Sequence, residues 1–474
     1  MLSVAVLLAP AALVVGAAAV RAGLQAPVLF LVALVVLLPF GDQSIASQSL
    51  VHLVSVAATV GVVVALALRR ELGRRGSWLI LALSVFVGSA FLSTTMSVAP
   101  ARSLVVATTY LFGLGVAWAL SRTCTTWEAL RFVATTLALV GGAVGFIAVA
   151  DLGQLRGALG GNVVEGRATS VFTQPNELGA FCAATLLIAV GCSVAHRRTA
   201  WIWACRAAAV GATVGLALSF SRGAWIGAAA GVAVLVVLLP GLRRPVLRAA
   251  TAGLVLLATG ATVAGNTPVL QLLLKRLDSL TAPSNPYDER PAIWSEAIHQ
   301  IGQSPLLGTG PGAFAEKSVA DQSVLRSDPA AHAHSLFLAV TSEQGAFGLL
   351  ALVLVIGLVV AVARRVRAVS GVDLGARPGH AALTAGLIGA LASVLGQGLT
   401  DQPAGNPIVG TGLWVVLGLT AAAGSLLSSP QDDRIRWDGG HPLEVSSKVS
   451  DGGPAVRTAM LDTGPPAVDP RSNP

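Results

Sequence analysis

Charge is scarce in this chain. Asp, Glu, Lys and Arg make up 11% of its 474 residues, against roughly a quarter in an average soluble domain. With 54% hydrophobic residues and a mean hydropathy of +0.75, that scarcity excludes an ordinary soluble fold. Cysteine is scarce too: Cys124, Cys182, Cys192 and Cys205 are the whole set, and the last three fall in apolar segments. Neither a disulfide framework nor a zinc spacing can be read from them. The glycine run Gly308-Thr-Gly-Pro-Gly312 lacks the Lys-Ser/Thr of a phosphate loop and the spacing of a dinucleotide fingerprint, so it reads as a tight structural turn. The first apolar run, residues 2–20, has no basic segment before it and no obvious cleavage site, so it reads as a span and not a signal peptide. No strong internal repeat is present.

What the chain has in abundance is apolar runs long enough to cross a hydrocarbon layer of ~30 Å. In lipid such runs satisfy their backbone only as helices, so the fold class is an all-α polytopic transmembrane helical bundle. Spans are expected at residues 2–20, 26–40, 51–68, 78–92, 104–120, 130–150, 178–194, 200–218, 224–239, 249–264, 346–363, 381–399 and 410–427, roughly 12–13 in all. This divides the chain into N-terminal transmembrane helices (1–264), a long extracytoplasmic loop (265–345), C-terminal transmembrane helices (346–427) and a tail (428–474). The tail is rich in Pro, Gly, Asp and Ser, a composition expected to stay disordered on the cytoplasmic side.

The net charge of +8 does not indicate a nucleic-acid partner, because the arginines sit mainly in short loops. One set of loops holds Arg21, Arg69, Arg70, Arg74, Arg75, Arg122, Arg131, Arg197, Arg198, Arg243, Arg244, Arg248, Arg364, Arg365, Arg367 and Arg377. Only Glu71, Glu128 and Asp373 stand against them. The positive-inside rule puts that set in the cytoplasm and turns the polar stretch 266–345 outward, together with the loops of Arg167 and Arg222. Within the stretch, residues 268–280 carry leucines on one helical face, as an interfacial helix would. Asp288 can cap a second helix with Pro291 in its first turn. Ile293, Trp294, Ala297, Ile298 and Ile301 form its expected apolar face, Pro305 ends it, and an irregular run reaches residue 329.

Three outward segments carry residues capable of chemistry. Arg222 lies in Ser219-Phe-Ser-Arg222, with little loop to carry it into water. An arginine at membrane depth needs a partner, and a snorkelling interfacial arginine is the equal alternative. Arg167, Arg222 and Arg290 on one face suit a phosphate or diphosphate, whose oxygens match guanidinium forks, or else are three unrelated surface arginines. His334 is either a general base or a plain interfacial residue. His332 and His334 lack a third metal ligand of recognisable spacing. Glu343 can orient a histidine, bind a sugar hydroxyl or cap a helix, and Asn176 can cap the span that follows it.

In order along the chain, four segments resemble the O-antigen ligase and O-antigen polymerase superfamily of bacterial membrane glycosyltransferases. They are Arg167–Ser170 with Phe172, Pro175, Asn176 and Gly179; residues 218–224 around Ser221-Arg222; Arg290, Ile293 and Trp294 followed by Pro305-Leu-Leu-Gly308, Gly310, Gly312 and Phe314; and His334 followed by Leu336, Leu338, Glu343 and Gly345. Ser335 departs from the asparagine common in the family. The resemblance covers roughly residues 167–348. It implies transfer of a glycan from undecaprenyl diphosphate to an acceptor hydroxyl on a glycan, lipid or protein, at the outer face of the cytoplasmic membrane, without a nucleotide sugar and, in ligases, without a metal; no cofactor is expected. It further implies that Arg222, Arg290 and Arg167 hold the diphosphate, that His334 takes the acceptor proton, and that Glu343, Asn176 and Trp294 support them. A polysaccharide polymerase and a protein O-oligosaccharyltransferase share the pattern. A lipid or polysaccharide transporter is the rival from another class, but the paired repeats and broken midplane helices expected of one are not evident. A structural role in an envelope assembly leaves the Arg and His segments unexplained.

Overall fold

The computed structural model describes residues 21–41, 44–45, 48–71, 77–152, 163–164, 167–264, 289–321, 332–372, 378–428, 437–438 and 441–442. The expected span 2–20, the interfacial helix 268–280, the cap at Asp288, the irregular run 322–329 and most of the tail lie outside these residues.

The fold is all-α and polytopic. Among the described residues its α-helices are α1 (Val28–Leu37), α2 (Leu50–Leu68), α3 (Trp78–Thr94), α4 (Pro100–Thr123), α5 (Trp127–Leu152), α6 (Pro175–Ala195), α7 (Thr199–Leu218), α8 (Arg222–Leu238), α9 (Arg243–Ala264), α10 (Arg290–Gln303), α11 (Phe314–Ala320), α12 (Leu336–Val372), α13 (Pro378–Gln397) and α14 (Pro407–Leu427). Among the described residues, eight helices are long and apolar enough to cross a membrane. Two elements differ from the expected series of similar spans. The expected spans 224–239 and 249–264 form one helix pair bent by 120° where Pro240 and Gly241 interrupt the ladder. The span expected at 346 starts at Leu336 and carries a break at Gly345. In the tail unit, residues 437–438 and 441–442 pair as a minimal antiparallel ladder.

Helices α6, α13 and α14 are the most enclosed. Where α6 meets α13, a Cβ on Gly191 would lie 2.7 Å from the Ala382 carbonyl oxygen and 3.1 Å from the Gly386 Cα. Only small residues permit such backbone contact between membrane helices. The consequence is functional: the start of α6 is held against the end of α13, and Gln397 Nε2 donates to the Asn176 carbonyl at 3.1 Å.

The break in α12 is filled by the glycine run. At Gly345 (φ 64°) the α12 ladder opens. Thr309 and Gly310 then donate to the carbonyls of Ser342 and Glu343 at 2.9 Å each, and Ala346 donates to Pro305 at 2.8 Å. The Glu343 carboxylate accepts from the Gly312 N–H at 2.9 Å. Gly310 has φ 105°, and a Cβ there would meet Ser97 Oγ at 2.1 Å. Gly310→Ala is therefore expected to destabilise the chain by about 1–3 kcal/mol from backbone strain, with the clash adding to it. Thermal melting of the purified chain reads this out against Gly302→Ala, where a Cβ meets nothing within 4 Å. Equal melting temperatures would refute the clasp.

The outer helix α10 buries Ile293, Glu296, Ala297 and Gln300, and Ile298 is 61% exposed. The expected face is thus rotated. The Gln300 amide nitrogen is bonded inside: Nε2 donates to Glu296 Oε1 at 2.8 Å and lies within hydrogen-bond reach of the Phe314 carbonyl at 3.2 Å and Ser318 Oγ at 3.0 Å, while its Oε1 is buried with no partner among the described residues. The irregular run after the glycine turn begins as helix α11 and packs Phe314 against Ile293 and Ala297.

Candidate active site

Three helices start at one small pocket. Arg167, Asn176, Arg222, Arg290, Thr400 and Asp401 line it, along with the Phe220–Gly223 backbone turn. Asn176 is in the first turn of α6, Arg222 is the first residue of α8 and Arg290 is the first residue of α10. Helix N-termini carry partial positive charge and favour anions. A guanidinium at the first helical position opposes that dipole, and the Asp401 carboxyl lines the same pocket as the three arginines.

The local folding explains each placement. Pro175 starts α6, and Gln174 with Glu177 forms its capping box, so Asn176 is not the cap. Its Oδ1 instead accepts from Arg167 Nη2 at 2.7 Å, while Arg167 Nε donates to the Ser219 carbonyl at 2.9 Å. Ser221 caps α8 by accepting from the Ala224 N–H at 3.3 Å. Ser170, Phe220 and His334 all have positive φ (54°, 47° and 47°). Such left-handed backbone costs a non-glycine residue about 1–3 kcal/mol and clusters at functional sites. The segments of Arg167, Arg222 and His334 each contain one, while those of Arg290 and Asp401 do not.

His334 is held from several directions. Trp294 Nε1 donates to its carbonyl at 3.4 Å. The next two residues dock on the turn after α13, with Leu336 N–H and Ser335 Oγ both donating to the Gly398 carbonyl, at 2.7 and 3.4 Å. Ser335, the departure from the family pattern, is thereby buried and bonded. That docking sets His334 Nδ1 3.3 Å from Asp401 Oδ1, with His332 Nε2 4.0 Å from the same oxygen. Burial raises the Asp401 pKa, but hydrogen bonds with His332, His334 and the Gln402 N–H outweigh it, so the carboxyl lies well below its usual range and is anionic at neutral pH. Since Asp401 only accepts, His334 Nδ1 carries the proton and Nε2 is left as the basic nitrogen.

Asp401 is the site residue that sequence reasoning missed. Its signal was present: a carboxylate directly after an apolar span, in a chain where such charges are rare. It also supplies the third ligand absent from the His332–His334 spacing, for the candidate ligand atoms of all three residues lie within 4.8 Å of one another and can hold a metal ion. The arginines around the adjoining pocket oppose a cation there. Glu343 is engaged in the α12 clasp and does not line the arginine pocket.

An apolar cavity of about 480 Å³ opens between the helices and is walled by Leu83, Val340, Val355 and Trp414, with Tyr110, Glu343, Gln344 and Gln402 as polar members. Gln402 adjoins Asp401, so the greasy cavity and the arginine pocket meet at one turn. That pairing suits an amphiphile with an anionic head.

Residues 207–353 match the family model described as Wzy_C: O-Antigen ligase. The matched segment contains Arg222, Arg290, Trp294, His334 and Glu343, while Arg167, Asn176 and Asp401 fall outside it. No curated protein matches the chain.

Proposed function

We propose, from the match of residues 207–353 to the O-antigen ligase family model, that this multi-pass membrane protein moves a glycan from an undecaprenyl-diphosphate donor to an acceptor hydroxyl at the outer face of the cytoplasmic membrane. The observation that carries the reading is the convergence of Arg167, Arg222, Arg290 and three helix starts on one pocket that also contains the partner of His334.

The chemistry follows from the groups. His334 Nε2 takes the proton of the acceptor hydroxyl as its oxygen attacks the anomeric carbon. The bond from that carbon to the diphosphate oxygen breaks, and the electron pair leaves with the diphosphate. Arg222 and Arg290 stabilise the charge that develops there, and Arg167 completes the site while bracing the turn before α8. Asp401 holds the imidazole in the tautomer that leaves Nε2 basic, as the acidic partner of a catalytic histidine does elsewhere. The hydrocarbon tail of the donor lies in the apolar cavity. A polymerase or a protein O-oligosaccharyltransferase would use the same machinery with a different acceptor.

The test is a deletion strain in which undecaprenyl-linked glycan and finished product are both quantified. Accumulated donor with one lost glycoconjugate is expected, and the lost species names the acceptor class. Unchanged donor and product would sink the reading. Transfer by purified protein is also expected to survive a strong chelator. Loss on chelation with recovery on adding zinc or manganese would instead make His332, His334 and Asp401 a metal site.

A further inference from the structure

Where α5 and α7 begin and α6 ends lies a second cavity, of about 370 Å³, lined by Glu128, Arg131, Thr135, Arg197, Arg198 and Trp201. It is separated from the arginine pocket by the length of α6, whose 21 residues span roughly 30 Å. The arginine asymmetry of the loops assigns this end to the cytoplasm. From this cavity we infer that the chain has a second anion site, which seats the phosphodiester headgroup of an anionic membrane lipid of the inner leaflet.

Topology alone explains arginines in a short loop. It does not explain Arg131, which is inside α5 and half-buried, with its guanidinium turned towards the α6–α7 corner, where Nη1 donates to the Ala195 carbonyl at 3.4 Å. One turn further along α5, the buried Thr135 hydroxyl is 2.9 Å from His196 Nε2 and fixes that corner. Burial first, and then the Arg131 charge, lowers the His196 pKa, so the cationic character comes from the arginines. Three guanidiniums against one carboxylate leave two net positive charges.

The rim fits a lipid better than a soluble phosphate. Trp201 stacks on His196 with ring centroids 5.7 Å apart and is 40% exposed, and Phe132, also lining the cavity, is 45% exposed. Aromatic rings at this depth suit the glycerol and upper acyl region of a lipid. The size is in the ordinary range for ligand pockets, roughly 300–1,000 Å³, and basic pockets between helices on the cytoplasmic side are suited to multiply charged headgroups.

The test is lipid binding to the purified full-length chain by native mass spectrometry. The probes are cardiolipin, phosphatidylglycerol and phosphatidylcholine, each with and without millimolar inorganic phosphate. Arg197→Gln/Arg198→Gln changes exposed side chains and spares the fold, and Arg243→Gln/Arg244→Gln is the matched control, at the start of α9 on the same side by the arginine asymmetry. Cardiolipin binding is expected to weaken about thirtyfold in the first variant and to stay at the wild-type value in the control. Phosphatidylcholine binding should be equal in all three, and inorganic phosphate should not displace the lipid. Equal weakening in both variants would reduce the effect to diffuse charge. Displacement by phosphate would give the cavity to a soluble anion, and either result overturns the proposal. Glycan transfer does not enter the readout, so this inference and the proposed function stand or fall separately.

Discussion

His334→Ala is expected to lower glycan transfer by about 10²–10⁴-fold, the usual worth of a positioned general base. The imidazole is held at 3.3 Å from Asp401, and its left-handed backbone is braced by Trp294 and by the Gly398 turn. A residue strained in this way and anchored at both flanks is positioned for function. Alanine keeps the Cβ and with it the left-handed strain, so the substitution removes the imidazole and leaves the backbone as it was. The variant should therefore reach the membrane at wild-type level and melt close to wild type. Asp401→Asn gives a sharper result. It keeps the shape of the turn but offers His334 Nδ1 an amide that can donate, which favours the wrong tautomer. A loss of transfer approaching that of His334→Ala, with donor binding retained, is the expected outcome. It is read as turnover against donor concentration, where the maximal rate falls and the half-saturating concentration does not rise. Wild-type turnover in Asp401→Asn would remove the carboxylate from the mechanism.

Arg222→Ala should lower turnover by about 10²–10³-fold, the range seen when one group stabilising transition-state charge is lost. Its position separates function from folding. Arg222 is the first residue of α8, where the helix dipole disfavours a cation, and the cap is made by Ser221. Removing the guanidinium leaves the Ser221 cap in place, so α8 should still form. Arg222→Lys should recover only part of the rate, because an ammonium lacks the planar fork that matches two phosphate oxygens. Full recovery by lysine would reduce the role of Arg222 to charge alone, and full activity in Arg222→Ala would dismiss it from the diphosphate site. Adding pyrophosphate should protect Arg222 and Arg290 from guanidine-directed labelling in the wild-type chain.

The apolar periodicity of α2, α4–α7, α13 and α14 fixed their existence without any tertiary information, because each must bury its own backbone polar groups in lipid and a run of apolar residues leaves helix as the available solution. The polar residues that interrupt the runs, Arg167, Arg222, Arg290 and His334, were legible for the same reason: charge next to hydrocarbon is costly and stands out. Three things were not legible. The bend between α8 and α9 and the break at Gly345 depend on what fills the opened ladder, and at Gly345 the filling segment is the Pro305–Gly310 backbone. The true face of α10 depends on hydrogen bonds from Gln300 to residues on the next helix, which make a polar side chain an inside one. Asp401 reaches His334 because Leu336 docks on Gly398, across residues far apart in the chain. Sequence by itself determined which segments enter the membrane and which residue types stand at its edge, since those follow from each segment's own transfer free energy. Only the tertiary structure decided which of those residues meet, since that depends on contacts between segments far apart in the chain.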